Sequence, residues 1–131
     1  MCMIDGADSL SVMVNRRHRV ARTEHLCGEC RRTILPGETY LREVVADDGH
    51  ASTNKTCGHC EVVTEWLIRE CGGYFYGGAR EDMADHAYTG YYGFGVTRLA
   101  AGMRAKWTRK DGRMWPVPPA PPNTPGYRYE H

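Results

Sequence analysis

Apolar residues recur along this chain with two different periods. Residues 38–45 carry Tyr40, Leu41, Val44 and Val45, β-formers that predict a strand entered from a Pro36-Gly37 turn. Asp48-Gly49 predicts a tight hairpin, and residues 50–56 form the return strand, polar enough to leave its outer face wet. From Cys57 the period lengthens, with Val63, Trp66, Leu67 and Cys71 at helical spacing, and Gly72-Gly73 ends that helix. A short acidic helix is expected over 79–87. In the basic helix read over 96–110, Val96, Leu99, Met103 and Trp107 form an apolar stripe for packing on the rest of the chain.

These elements divide the chain into an N-terminal basic arm over 1–26, a cysteine-bearing module over 27–71, and Gly/Tyr-rich loops and helices over 72–110 that pack on it. A Pro-rich flexible tail over 111–131 completes it. The tail holds overlapping P-x-x-P and is expected to be extended and disordered. At 131 residues there is room for one domain. No apolar run approaches the ~18–20 residues of a spanning helix, so no membrane role is expected. Asp5 and Asp8 stand where a secretory leader would carry Lys or Arg, and the expected location is cytoplasmic. The net charge is +1, so any attraction to nucleic acid has to come from local patches.

Cysteine changes the picture most. Cys27-Gly28-Glu29-Cys30 and Cys57-Gly58-His59-Cys60 are two C-x-x-C pairs flanking the predicted hairpin, the second at a helix N-terminus. Zinc takes four tetrahedral ligands, and each C-x-x-C turn brings two sulfurs to one ion. The helix dipole favours thiolate at Cys57 and Cys60, and Arg31 and Arg32 stand ready to offset the negative charge. The 27–71 segment has few large apolar residues. A core that small needs a staple, and structural zinc supplies roughly 10–16 kcal/mol in comparable peptides. One structural Zn²⁺ held by Cys27, Cys30, Cys57 and Cys60 is therefore expected, with no position left open for a catalytic water. In a reducing compartment no cysteine is expected in a disulfide. Cys71 reads as a small buried residue, with a second metal site from Cys2, Cys71 and His86 as the minority alternative.

The order knuckle, hairpin, helix, with Cys27, Cys30, Cys57 and Cys60 in the ligand positions, resembles a treble-clef zinc finger. The fold class that follows is α+β: a small zinc-stabilised treble-clef module with additional short helices and the Pro-rich tail. More narrowly, Ala21-Arg22, His25, Ile34, Pro36-Gly37-Glu38, Tyr40, Asp48-Gly49 and Lys55-Thr56 around the two pairs are similar to a family of small uncharacterised phage and prophage proteins. The likeness spans roughly residues 20–88. It implies an accessory protein that binds a host protein or nucleoprotein machine, in transcription or antiviral defence, in a bacterial cytoplasm.

Three further constellations bear on function. Arg16, Arg17, Arg19 and Arg22 in the arm, with Arg104, Lys106, Trp107, Arg109 and Lys110 near the last helix, are candidates for nucleic-acid or partner contact. The arginines would meet phosphates and Trp107 would stack. Tyr74, Phe75, Tyr76, Tyr91 and Tyr92, set among glycines, are candidates for a protein-binding surface. His50, Asn54 and His59 invite comparison with HNH nucleases, but their spacing departs from that pattern and His59 is expected on the surface. No catalytic residue, and no small-molecule substrate, is expected. The leading expectation is a non-enzymatic binder of a host protein. A nucleic-acid-binding regulator and a degenerate nuclease are the alternatives.

Overall fold

The computed structural model describes Cys2 and residues 12–125. Five strands precede three helices: β1 (Val12–Val20), β2 (His25–Leu26), β3 (Thr33–Ile34), β4 (Thr39–Asp47), β5 (His50–Cys57), α1 (Gly58–Cys71), α2 (Ala79–Tyr88) and α3 (Phe94–Arg104). The architecture is a small α+β domain. β1, β4 and β5 form one antiparallel sheet in that order, and β2 pairs with β3 in a small second ladder.

The hairpin forms where the turn chemistry requires it. Asp48 and Gly49 both take positive φ, 51° and 80°, as a tight two-residue turn between right-twisted strands demands. α1 begins on Cys57, whose sulfur accepts the Cys60 N–H and so acts as the N-cap. It stops at Gly72, which adopts the left-handed conformation that closes a helix. The apolar stripe of α3 lies inward as expected, with Val96, Leu99, Met103 and Trp107 all buried. They meet Val63, Trp66 and Leu67 of α1 and Met83 of α2 in one core that also takes in the four paired cysteines.

Two segments differ from the reading of the sequence. Residues 12–20, read as part of an arm, form a strand paired with β4 from Val12↔Ala46 to Val20↔Thr39, with a bulge between Met13 and Asn15. The pattern MVNRRHRV hides it, because charged residues occupy both faces; an edge strand so charged resists pairing with other chains. The last helix ends at Arg104 and not near 110, since the chain turns through positive φ at Lys106 and Trp107, 53° and 55°. Gly102 makes that turn workable: a Cβ there would lie 2.1 Å from the Trp107 ring.

The described part of the Pro-rich segment is docked on α1. The Trp66 indole N–H donates to the Pro122 carbonyl at 3.2 Å. The Asn123 amide donates to Glu70 Oε1 at 3.0 Å, and the Thr124 hydroxyl to Glu70 Oε2 at 2.6 Å. Those contacts hold the Glu70 carboxyl below the usual carboxylate range against the opposing effect of burial. Residues 126–131 lie outside the described part of the chain.

Candidate metal centre

Cys27 and Cys30 come from the loop between β2 and β3, Cys57 from the end of β5, and Cys60 from the first turn of α1. All four are fully buried, and their sulfurs lie within 4.8 Å of one another. Tetrahedral bonds of about 2.3 Å would set sulfurs about 3.8 Å apart. The Cys30–Cys57 separation is 3.9 Å. The cluster could therefore hold a metal ion such as zinc.

Its surroundings suit thiolates. The Cys57 N–H approaches Cys27 Sγ at 3.4 Å, and the Cys60 N–H approaches Cys57 Sγ at 3.4 Å. Hydrogen bonds from Cys30 and Cys60 bring Cys27 down to about 7, overcoming the opposing bond to Cys57 and burial. Cys57 is driven far down by bonds from Cys27, Cys30 and Cys60, while bonds to Cys27, Cys30 and Cys57 drive Cys60 up and bonds to Cys27 and Cys57 drive Cys30 up. Arg32 packs beside it, 6% exposed, with Nη2 2.7 Å from Glu38 Oε1. Arg31, the other expected counter-charge, is exposed and serves the turn with φ of 73°.

Three supports of the cluster were not legible beforehand. The Trp107 indole N–H donates to Cys60 Sγ at 3.3 Å. This corrects the expectation that Trp107 contacts nucleic acid or a partner, since a ring at 0% exposure has no face to offer a base. His59 is likewise not on the surface: it is 5% exposed, with Nε2 2.6 Å from the Trp115 carbonyl, because the chain after α3 crosses over it. Glu29, inside the first C-x-x-C, accepts the N–H groups of Gly77 and Ala79 at 2.9 and 3.0 Å. It thereby ties the cysteine loop to the start of α2, where an anion is favoured. Only the C-x-x-C framing hinted at Glu29, and the helical stripe pointed to burial of Trp107 but not to its contact with Cys60.

Strand alternation divides the arginines of the arm. Arg16 and His18 point toward α1. Arg16 lies 3.6 Å from Glu43 and 3.3 Å from Glu65, and His18 lies 2.8 Å from Glu61. Arg17 and Arg19 occupy the other face. There Arg17 stands opposite Arg42, and Arg42 opposite Lys55. Arg19, Arg22, Arg42 and Lys55, with His25 and Tyr40, line a depression of about 350 Å³ that has no carboxylate in its wall. Arg42 and Lys55 lie outside the two basic clusters of the sequence, and the period of two along the hairpin is the signal that points to them. Arg104, Lys106, Arg109 and Lys110 are exposed at and beyond the end of α3, and Arg109 lines a separate groove with Arg98, Phe94 and Trp115.

The aromatic candidates also separate. Tyr92 packs on the core, with its ring edge-on to Trp66 at 5.6 Å. Tyr74 packs on the core too and meets Tyr76 edge to face at 5.5 Å. Phe75 and Tyr91 are exposed, as are Tyr88 and Phe94 at the two ends of the second Tyr/Gly-rich stretch. His50 begins β5 and His59 lies just past its other end, so the strand's rise separates them by roughly 25 Å.

The expectation of no disulfide is also corrected. Cys2 and Cys71 are bonded, with Cα atoms 5.6 Å apart, because the end of α1 brings Cys71 beside Cys2. No helix among the described residues is long and apolar enough to cross a membrane. Comparison with protein-family models, curated proteins and solved structures finds no match to this chain.

Proposed function

We propose that this chain is a non-enzymatic, zinc-stabilised binding module of treble-clef type that engages the phosphate backbone of nucleic acid through the outer face of β1, β4 and β5. The observation that carries the reading is the cross-strand row Arg17–Arg42–Lys55, flanked by Arg19 and Arg22. Like charges directly opposite one another destabilise a sheet. A polyanion laid across the row would relieve that repulsion and release its own counterions. Zinc on Cys27, Cys30, Cys57 and Cys60 would fill its coordination shell with sulfur and leave no site for an activated water. Its role here is to hold β5 against the knuckle and so keep Lys55 beside Arg42.

Anisotropy titration of a labelled 20-base-pair duplex and a matching single strand at several salt concentrations tests this. Log affinity should fall linearly with log salt, with a slope of about 0.9 per phosphate contacted on duplex. Absence of binding at low salt rejects the proposal.

The likeness to small phage and prophage proteins, together with the exposed Tyr88, Tyr91 and Phe94, supports a second reading in which the target is a host protein machine. Affinity purification from a bacterial lysate treated with nuclease separates the two. A stoichiometric protein partner lost on changing Tyr91 and Phe94 to Ala favours the second reading. Recovery only when nucleic acid is intact favours the first.

A further inference from the structure

The geometry points to a second transition-metal site, made by Cys2, Cys71 and His86, that exists in the reduced protein and is exchanged for the Cys2–Cys71 disulfide on oxidation. Three separate parts of the chain converge there: Cys2, the last residue of α1, and the last turn of α2. His86 Nε2 lies 3.6 Å from Cys71 Sγ and 3.8 Å from Cys2 Sγ. Bonds of about 2.3 Å to sulfur and about 2.0–2.1 Å to nitrogen at a tetrahedral ion would place the two atoms about 3.6 Å apart. The imidazole already has the separation from both sulfurs that a shared ion imposes.

The other side of the ring supplies independent support. Nδ1 lies 2.8 Å from the Asp82 backbone carbonyl and 3.2 Å from Asp82 Oδ1. A proton on Nδ1 donated to that carbonyl leaves the Nε2 lone pair facing the sulfurs, the arrangement by which a backbone carbonyl orients a metal-binding histidine. His86 is 0% exposed and Asp82 1%. Neither carboxylate oxygen of Asp82 has a hydrogen-bond partner among the described residues. A buried carboxylate left so poorly satisfied is costly. Two thiolates already neutralise a divalent ion, so the ion's effect on Asp82 would be to polarise the imidazole Nδ1–H that faces it.

Two thiolates and an imidazole are a donor set for zinc, with a fourth position left for water. The ion and the disulfide exclude each other, because the sulfurs must separate to about 3.8 Å to share an ion. With hydrogen peroxide as oxidant the exchange balances. The two thiolates lose two electrons and form the S–S bond; the peroxide O–O bond breaks, takes those electrons and two protons, and leaves as two waters; the ion is released. Cys2 would be tied to α1 in both states, by metal in one and covalently in the other, and to His86 of α2 through the ion alone.

Metal stoichiometry of the full-length protein tests this, with Zn²⁺ counted by elemental analysis and Co²⁺ as the spectroscopic probe. Protein kept anaerobic with a phosphine reductant, all 6 cysteines verified as thiols in denaturant, should bind two ions per chain. The disulfide form should bind one. Cys2→Ser changes a half-exposed side chain outside every strand and helix, and should bind one ion whether reduced or not. The second Co²⁺ equivalent should show a thiolate charge-transfer band of about half the intensity of the first, reflecting two sulfurs against four. One ion per chain in the reduced wild type, with two thiols still reacting freely with a thiol reagent, overturns the site and leaves the disulfide as a plain cross-link.

Discussion

The two faces of the β1–β4–β5 sheet both carry cations, and they treat them in opposite ways. On the face toward α1, Arg16 and His18 meet Glu43, Glu61 and Glu65. On the outer face, Arg17, Arg42 and Lys55 stand in register with one another, Arg19 stands opposite Tyr40, and none of them faces an acid among the described residues. Neighbours in sequence, Arg16 and Arg17 thus differ in role only because a strand sends successive side chains to opposite sides. The inner face shows what a structural charge looks like: it is neutralised within the fold. A row of cations left unneutralised at a cost in stability is the better candidate for an external anion.

That contrast can be attacked most strongly at its base. Both faces depend on the cysteine cluster that anchors the end of β5, so if it holds the proposed ion, removing that ion should abolish both. Stripping the ion with a chelator, or the change Cys60→Ser, is expected to cost on the order of 10 kcal/mol of apparent folding free energy. Thermal melting read by circular dichroism should then lose its cooperative transition. A transition unchanged by chelation would show that the cluster is not a metal staple.

A smaller blow falls at Gly102. Adding a methyl group 2.1 Å from the Trp107 ring should displace the indole from Cys60 and destabilise the protein by about 1–3 kcal/mol. Denaturant titration of Gly102→Ala checks this. Its affinity for nucleic acid under native conditions should stay near wild type, since the outer face is untouched.

The comparison itself is sharpened by single changes on either side of the strand. Arg17→Ala and Arg42→Ala should each lower the slope of log affinity against log salt by about 1 and leave the melting temperature unchanged or slightly raised. Arg16→Ala should do the reverse, losing at most about 1 kcal/mol of stability with no change in that slope. Equal effects of Arg16→Ala and Arg17→Ala on binding would erase the distinction between the faces.

The smallest effect is a matter of pH. The Arg32 guanidinium, with a lesser contribution from the Leu35 N–H, holds the Glu38 carboxyl below its ordinary range despite partial burial. A carboxyl depressed in the folded state adds stability that is present above its unfolded value and lost as pH falls through the folded one. Glu38→Gln should therefore be less stable than wild type at neutral pH, and the gap should close on acidification. Taking the difference between the two proteins cancels the metal release common to both.

Much of the frame was legible from local signals. The two C-x-x-C pairs, the Asp48-Gly49 hairpin, the Gly72 stop and the stripe from Val96 to Trp107 each rest on chemistry within a few residues, and each lies where that chemistry puts it. The β1 strand was hidden because its inward partners are charges on α1 and not apolar neighbours, so alternation of hydrophobicity never appears. The role of Trp107 was hidden because a helical stripe says that a side chain is buried, not what its N–H will meet. The docking of residues 115–124 was hidden for a similar reason: a Pro-rich composition describes the isolated chain, while Trp66, His59 and Glu70 supply the partners that hold it.

What the amino-acid order alone determined, then, is the donor set and the punctuation: which sulfurs can converge, where the chain turns, and where helices begin and end. Only the tertiary structure decided which charges are consumed inside the fold, which aromatic rings are exposed, and that Cys2 and Cys71 meet beside His86. The reason is physical. Turn and cap preferences are settled by bonds within a few residues, whereas the neutralisation of a charge, the burial of a ring or the meeting of two distant sulfurs depends on what the rest of the chain places alongside.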